Sequence, residues 1–295
     1  MRRGLHSLSS ASFPPLRGHG LVSLHPPFDS AAAQRRCNEF RRRILEISQQ
    51  VQALHIGSAY SCTEIVDCIY FGLMRCDDDG RSPDTFLMSK GHGCMIQYVI
   101  LERLGVLSRT DMDQYCKAGG RLGCHPDYGN PGIAASTGSL GHGLSMSVGM
   151  AYAEKVRGTG GIVYCVLSDG ELQEGSTWEA TMMASSLGVH NLVAFVDNND
   201  FQSLGRTSVT HPSFYPLVEK YIAFGWESIE VPGHDSRAIH AAVAGRRGDR
   251  PLMVVAKTTK GRGISYMENV PIWHYRSPNP AEYRQGLEEL EQALR

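Results

Sequence analysis

Residues 162–199 read IVYCVLSDGELQEGSTWEATMMASSLGVHNLVAFVDNN, and this stretch decides the fold. It begins and ends with short apolar runs rich in β-branched residues, Ile162–Leu167 and Leu192–Val196, which predict buried strands. A helical stretch, Leu172–Leu187, lies between them and is followed by Gly188, a residue type common just after a helix. A strand, a helix and a strand in this order predict a βαβ unit with parallel strands.

The same alternation continues toward the C-terminus. Trp226–Val231 and Leu252–Ala256 are further strand candidates. Between them Asp235 is a suitable N-cap for a helix that ends at Gly245, and a last helix is expected to begin at Pro280. Nearly continuous apolar strands separated by helices indicate a mostly parallel sheet with helices on both faces. We therefore predict a doubly wound α/β fold.

The N-terminal half is predicted to be helical before it becomes loop. Apolar residues spaced by three and four positions predict one helix face over Phe40–Leu54, and a second helix is expected over Cys62–Met74. Residues 119–143 are rich in glycine and show little periodicity, so we expect a long loop there. Long loops inside compact domains are more often functional than connecting.

Length and composition limit the class of protein. The chain has 295 residues, of which 42% are hydrophobic and 20% charged, and a formal net charge of -1. This length is sufficient for one large domain, and the charge argues against nucleic acid or an anionic membrane as a partner. The eight cysteines contain no C-x-x-C pair, so we expect reduced thiols in a cytoplasmic protein. No apolar run reaches the roughly 18 residues that cross a bilayer.

The first 30 residues differ from the rest in composition. They contain three arginines, several serines and no acidic residue before Asp29. An organelle transit peptide has this composition, and a disordered leader or a misplaced start site are the alternatives. We predict a disordered leader over residues 1–30 and one ordered domain over residues 31–295.

Polar residues follow both strands of the βαβ unit. Ser168–Glu171 follows the first strand and Asp197–Asn199 the second, so both lie at the carboxyl edge of a parallel sheet, where ligands bind in this architecture. Asp169 offers a carboxylate and Asn199 an amide carbonyl, which are oxygen donors suited to Mg²⁺. Gly170 leaves room for a diphosphate near backbone amides and the start of a helix. Taken alone, the pattern is also that of local Asx turns.

These motifs resemble the N-terminal, diphosphate-binding domain of transketolases, and most closely the small subunit of split, two-chain transketolases. The thiamine diphosphate signature of that family is Gly-Asp-Gly followed by Asn-Asn, which reads SDG…DNN here, with Ser168 in place of the first glycine. The resemblance covers residues 34–279 and includes the blocks FLMSKGHG, GCHP, STGSLGHG, AKTTKGRG and MENVPIWH. It implies a thiamine diphosphate-binding fold.

The resemblance also implies ligand roles for residues of the two motifs. Asp169, Asn199 and the main-chain carbonyl of Phe201 would hold Mg²⁺. Gly170 would contact the cofactor's diphosphate, and Asn199 would also belong to the cofactor site.

Further roles at the cofactor's other end follow from the same resemblance. Gly138 and Leu140 match positions that lie against the aminopyrimidine. Glu174 matches a carboxylate at the interface with the partner domain, although by itself it reads as an exposed helical acid. His142 stands where the family usually has glutamine, and its role is left open.

Four histidines lie in matching blocks: His55, His92, His125 and His274. In the family such residues converge over the thiazolium ring, where they bind the hydroxyls of the donor ketose and move protons, work that suits imidazole because its pKa is near neutrality. A zinc site built from these histidines is the alternative, but no pair has the short spacing of common zinc sites. His55 lacks the glycine that usually precedes it, so the substrate is expected to differ from that of housekeeping transketolases.

The resemblance implies that a second polypeptide is needed. In the family, the glutamate that activates the cofactor lies in a second, pyrimidine-binding domain, and this chain ends near Arg295, where that domain would begin. We therefore expect the partner to be a C-terminal transketolase subunit, in a heterotetramer that transfers a two-carbon ketol unit from a ketose to an aldehyde. A thiamine-dependent synthase or decarboxylase subunit is one alternative. A cofactor-binding or assembly protein without catalysis is another.

Overall fold

The computed structural model describes residues 28–76, 82–203 and 205–294. The predicted leader therefore lies outside the described residues except at its end. There, the Asp29 side chain accepts hydrogen bonds from the backbone N–H groups of Ala31 and Ala32 and caps the first helix, which begins at Ser30. The ring of Phe28 stacks on His240 with the centroids 4.5 Å apart, so the packed domain already includes Phe28.

Helices and strands alternate along the described chain. The helices are α1 (Ser30–Ser48), α2 (Ile56–Ser61), α3 (Thr63–Cys68), α4 (Met95–Arg103), α5 (Arg109–Asp113), α6 (Gly143–Arg157), α7 (Gly175–Ser186), α8 (Thr207–Thr210), α9 (Leu217–Ala223), α10 (Ser236–Ala244) and α11 (Pro280–Gln292). The strands are β1 (Thr85–Met88), β2 (Val163–Ser168), β3 (Leu192–Asn198), β4 (Phe201–Gln202), β5 (Gly205–Arg206), β6 (Glu227–Pro232) and β7 (Leu252–Lys257). No described helix is long and apolar enough to cross a membrane.

Five strands form one parallel sheet in the order β1-β2-β3-β7-β6, and β4 pairs with β5 in a small antiparallel hairpin. The pairing of β2 with β3 places Ser168 opposite Asp197. The residues that follow these two strands therefore meet at the carboxyl edge, as the sequence predicted.

Helices cover both faces of the sheet. Along β2, Tyr164 and Val166 belong to a core that also contains residues of α1, α3, α4 and α10. The alternate residues Val163, Cys165 and Leu167 belong to a second core with α6, α7 and α9. Because successive strand residues point to opposite faces, a strand buried on both sides must be apolar throughout. The doubly wound α/β prediction is confirmed.

Three details differ from the predictions. Strand β1 was not predicted, because its four residues are too short to give a periodic signal. The helix face predicted over Phe40–Leu54 is shorter in the structure, because helix α1 ends at Ser48 and leaves Val51 and Leu54 beyond it. The Ser48 hydroxyl donates to the Leu45 carbonyl at this end. The helix expected from Leu172 begins at Gly175, since a 3-10 turn occupies Gly170–Gln173.

The two-sided burial of β3 gives a stability prediction. Val193 is fully buried, whereas Val156 on α6 is 68% exposed. We expect Val193→Ala to lower the free energy of unfolding by about 2 kcal/mol, since it removes buried methyl groups and leaves a cavity. The matched change Val156→Ala should stay within about 0.5 kcal/mol of wild type. Urea unfolding measures both, and equal effects would contradict the placement of β3.

Candidate active site

Asp169 lies at the carboxyl end of β2 and is 1% exposed. Its carboxylate accepts hydrogen bonds from the backbone N–H groups of Gly170 (2.8 Å) and Asp200 (2.5 Å). Among the described residues, no Lys, Arg or His forms an ion pair with it. Burial, and then the neighbouring Asp197 carboxylate, raise the pKa of Asp169 to about 7. A cation bound beside Asp169 would offset both effects.

Asn199 and Phe201 bring further oxygen atoms to the same place. The Asn199 side-chain oxygen accepts from the Phe201 N–H (3.0 Å), which fixes its orientation, while its amide nitrogen donates to Asp197 (3.0 Å). A Cβ on Gly170 would lie 3.3 Å from the Phe201 carbonyl oxygen, so glycine leaves that oxygen accessible. One carboxylate, one amide oxygen and one main-chain carbonyl are donors of the kind that Mg²⁺ accepts.

Behind these oxygens lies a buried ion pair that sequence reasoning missed. The Lys90 ammonium donates to Asp197, and both side chains are fully buried. Ser61 and Thr258 also donate to that carboxylate. Burial opposes charge on both groups, but their mutual attraction raises the pKa of Lys90 and lowers that of Asp197, so the pair remains ionised. Both residues lie in blocks already quoted, SKGHG and VDNN, but no local pattern pairs one block with the other.

The four predicted histidines come together. The ring centroid of His55 lies 5.4 Å from that of His92, 5.7 Å from that of His125 and 5.3 Å from that of His274. His92 follows β1. The Lys260 ammonium, in the loop after β7, contacts the Nδ1 atom of His274 at 2.8 Å. Lys260 is 1% exposed and also lies over the Phe201 ring. The histidines and the oxygen donors therefore share one edge of the sheet.

The electrostatic environment keeps His55, His92 and His274 neutral. Burial is the main cause that lowers the pKa of His55 to about 4 and of His274 to about 3, with nearby cationic groups adding to it. The pKa of His92 falls well below its usual value for the same reasons. Burial and then Lys90 also lower the pKa of Lys260, to about 8. A neutral imidazole offers one donor and one acceptor, which suits binding of hydroxyls and proton movement.

We expect His55 and His274 to remain neutral in the folded chain at pH 5. Their pKa values are lower in the folded than in the unfolded chain, so the unfolded chain binds more protons between about pH 6.5 and pH 4 and stability falls as the pH is lowered through this range. ¹⁵N NMR of the imidazoles measures the charge state directly. Titration of either ring near pH 6.5 would contradict this environment.

The glycine-rich loop packs against the histidines. Gly138 has a φ of +134°, and a Cβ there would lie 2.6 Å from the His125 ring. Leu140 is half-buried in the same loop. The buried Glu171 carboxylate holds this loop by accepting from the Gly141 N–H (3.0 Å) and from Ser89 (2.5 Å). Glu171 was not predicted as a site residue, although it belongs to the quoted motif.

Glu174 and His142 lie at the surface of this region. Glu174 is exposed and precedes α7, and a Cβ on Gly141 would lie 2.6 Å from the Glu174 Cβ. His142 is also exposed, and its Nδ1 lies 3.1 Å from the Leu140 carbonyl oxygen and 3.2 Å from that of Ser139. His142 thus stabilises the loop at the start of α6.

A family comparison agrees with this geometry. Residues 32–275 match the family described as "Transketolase, thiamine diphosphate binding domain". This range includes both motifs at the carboxyl edge and all four histidines.

Individual relatives show the same membership. An apulose-4-phosphate transketolase subunit from Phocaeicola vulgatus is 36% identical over 86% of this chain and 92% of its own length. The 6-deoxy-6-sulfo-D-fructose transketolase subunit of a Clostridium species is 33% identical over 88% and 96%.

A solved transketolase from Leishmania mexicana superposes with a TM-score of 0.77 at 25% identity, covering 90% of this chain and 45% of that one. This chain thus spans less than half of the Leishmania enzyme and matches nearly all of the two relatives above. Since the family model covers most of the chain and these relatives align along almost their whole length, this chain belongs to the transketolase family of transferases and carries that family's thiamine diphosphate binding domain.

Proposed function

We propose that this chain is the diphosphate- and Mg²⁺-binding subunit of a split transketolase, which transfers a two-carbon ketol unit from a ketose to an aldehyde. The observation that carries the proposal is the convergence of four imidazoles beside a buried set of oxygen donors at one sheet edge. A purely structural subunit would not need four partly accessible histidines grouped in this way. The clustering therefore favours catalysis over an assembly role.

In this proposal Asp169, Asn199 and the Phe201 carbonyl hold Mg²⁺, and Gly170 allows the diphosphate to approach. The buried Asp169 carboxylate forms no ion pair with any described Lys, Arg or His side chain, which supports a metal ion at this position. Thiamine diphosphate, when bound, supplies the electron sink that makes cleavage of a carbon–carbon bond next to a carbonyl possible.

The histidines are proposed to act on the substrate. His55, His92, His125 and His274 would donate to and accept from the ketose hydroxyls. One of them would take up the hydroxyl proton as the donor is cleaved and return it to the acceptor. Lys260 donates to His274 Nδ1, so a neutral His274 would carry its proton on Nε2.

A second polypeptide completes the proposed enzyme. The relatives from Phocaeicola vulgatus and the Clostridium species are both named as subunits of a transketolase, which supports a separate partner chain here. We propose that this partner carries the pyrimidine-binding domain and forms a heterotetramer with two copies of each chain. Gly138 and Leu140 would lie against the aminopyrimidine, and the exposed Glu174 would contact the partner.

Substrate class and compartment complete the proposal. The names of the relatives refer to sugar derivatives that carry a phosphate or a sulfonate group, which supports an anionic ketose as donor here. We also propose a cytoplasmic location, since the five buried cysteines are thiols.

Product analysis tests the reaction type. The chain, its partner, Mg²⁺ and thiamine diphosphate are incubated with a ketose donor and an aldehyde acceptor, and products are identified by mass spectrometry. A donor shortened by two carbons together with an acceptor lengthened by two is the expected result. Release of CO₂ from a 2-keto acid, without ketol transfer, would contradict the proposal and favour the decarboxylase alternative.

A further inference from the structure

A second histidine arrangement lies beside the site and outside the residues discussed so far. His234 is in the turn between β6 and α10, with 17% of its side chain exposed. Its Nδ1 lies 2.9 Å from a Glu64 carboxylate oxygen, and its Nε2 lies 2.8 Å from the backbone nitrogen of Thr259. Thr259 belongs to the loop after β7, and the next residue in that loop is Lys260.

The two contacts fix the tautomer of His234. Burial would raise the pKa of Glu64, but the Arg41 guanidinium and the bond from His234 lower it to about 2, so the carboxylate is charged. A charged carboxylate only accepts, so Nδ1 must carry the proton. A backbone N–H only donates, so Nε2 must offer its lone pair to Thr259. His234 therefore links a buried carboxylate to one backbone amide of the loop.

This link is one of three contacts that join consecutive residues of the loop to side chains elsewhere, beside the backbone bonds that Thr258 donates to Asn198 and Lys260 accepts from Asn269. Thr258 donates to the Asp197 carboxylate, Thr259 donates to His234, and Lys260 contacts His274 at 2.8 Å. The first fastens the loop to the metal side of the site and the third reaches the histidine group. The middle link, from His234, holds the backbone N–H that lies between these two contacts.

We propose that His234, supported by Glu64, is a positioning residue that orients the 258–260 loop so that the Lys260 ammonium reaches His274. It does not touch the histidine group or the oxygen donors, and it acts through the backbone of Thr259. The effect of His234 on turnover rests on the proposed function. The effect of His234 on the contact between Lys260 and His274 is independent of that function.

Four variants of the full chain test this inference: His234→Asn, His234→Gln, Lys260→Met and the double variant H234N/K260M. Asn can keep the donor to Glu64 but lacks an acceptor at the Nε2 position, whereas Gln can accept from Thr259. The matched control is His190→Asn, since His190 is exposed and precedes β3 at the opposite edge of the sheet.

The first readout is the ¹⁵N resonance of His274 Nδ1 in the chain alone. We expect H234N and K260M to shift this resonance in the same direction, toward the value of an imidazole nitrogen that accepts no hydrogen bond. The double variant should shift it no further than K260M does. H234Q should shift it less than H234N, and it carries the comparison with K260M if H234N does not fold. A wild-type resonance in folded H234N, or in folded H234Q where H234N does not fold, together with a clear shift in K260M, would overturn the inference.

The second readout is kcat for ketol transfer with the partner chain present. A displaced catalytic group typically costs up to about 100-fold, so we expect H234N to lower kcat by roughly 10- to 100-fold with KM changed less than about 3-fold. Because both changes act through one contact, the double variant should lie within about 2-fold of K260M. Multiplicative losses would overturn the positioning role. If the wild-type complex transfers no ketol unit, the proposed function fails and the NMR result alone decides this inference.

Discussion

Replacing Asp169 by asparagine is expected to weaken Mg²⁺-dependent binding of thiamine diphosphate by at least about 100-fold. The change preserves size but removes the only buried carboxylate proposed to contact the ion, and a charge-assisted contact to a buried ion is worth roughly 3 kcal/mol or more. Isothermal titration of thiamine diphosphate into the complex, at fixed Mg²⁺, measures the dissociation constant. Asp249→Asn is the matched control, because Asp249 is exposed and lies before β7 at the opposite edge.

The fold should survive this change. The pKa of Asp169 is raised to about 7, so the carboxylate is held in the folded chain at an electrostatic disadvantage, and asparagine removes that disadvantage. The asparagine amide nitrogen cannot accept one of the two backbone N–H bonds that Asp169 receives, which offsets this gain, so we expect the free energy of unfolding of D169N to lie within about 2 kcal/mol of wild type. Retention of wild-type cofactor affinity in folded D169N would show that the metal site lies elsewhere.

His92→Ala is expected to lower kcat for ketol transfer by roughly 100- to 10,000-fold, the range associated with loss of a general acid–base group. His92 is neutral, and its ring lies 5.4 Å from His55 and 5.6 Å from His274. It does not belong to the proposed metal ligands, so the affinity for thiamine diphosphate should change less than about 3-fold.

The control for this variant is His190→Ala, which alters an exposed imidazole far along β3 from the site. It should retain wild-type kcat. If H92A in the complex also retained wild-type turnover, the chain would hold the cofactor or support assembly only, and the histidine group would not take part in the reaction.

The fold was predictable where the sequence signal was local. Strands β2, β3 and β7 are buried on both faces, so continuous apolar runs revealed them, and the cap at Asp235 and the proline at position 280 marked two helix starts. Strand β1 was missed because four residues carry no usable period. The start of α7 was misplaced because Glu171 turns inward to hold Gly141, a contact across 30 residues that no local pattern encodes.

The grouping of the candidate site residues was predictable for a different reason. Parallel strands bring their carboxyl ends to one edge, so the motifs after β2 and β3 had to meet. The convergence of the histidines was predicted from the family resemblance, because their spacing along the chain does not indicate that they lie close together. The Lys90–Asp197 pair and the His234–Thr259 contact could not be predicted, because each joins segments whose proximity only the folded chain defines.

Reconstitution from two purified polypeptides tests the split enzyme most directly. The chain is assayed with Mg²⁺, thiamine diphosphate, a ketose donor and an aldehyde acceptor, with and without a second polypeptide that carries the pyrimidine-binding domain. We expect ketol transfer only when both polypeptides are present, with loss of turnover when Mg²⁺ is chelated. Robust transfer by this chain alone would contradict the split arrangement.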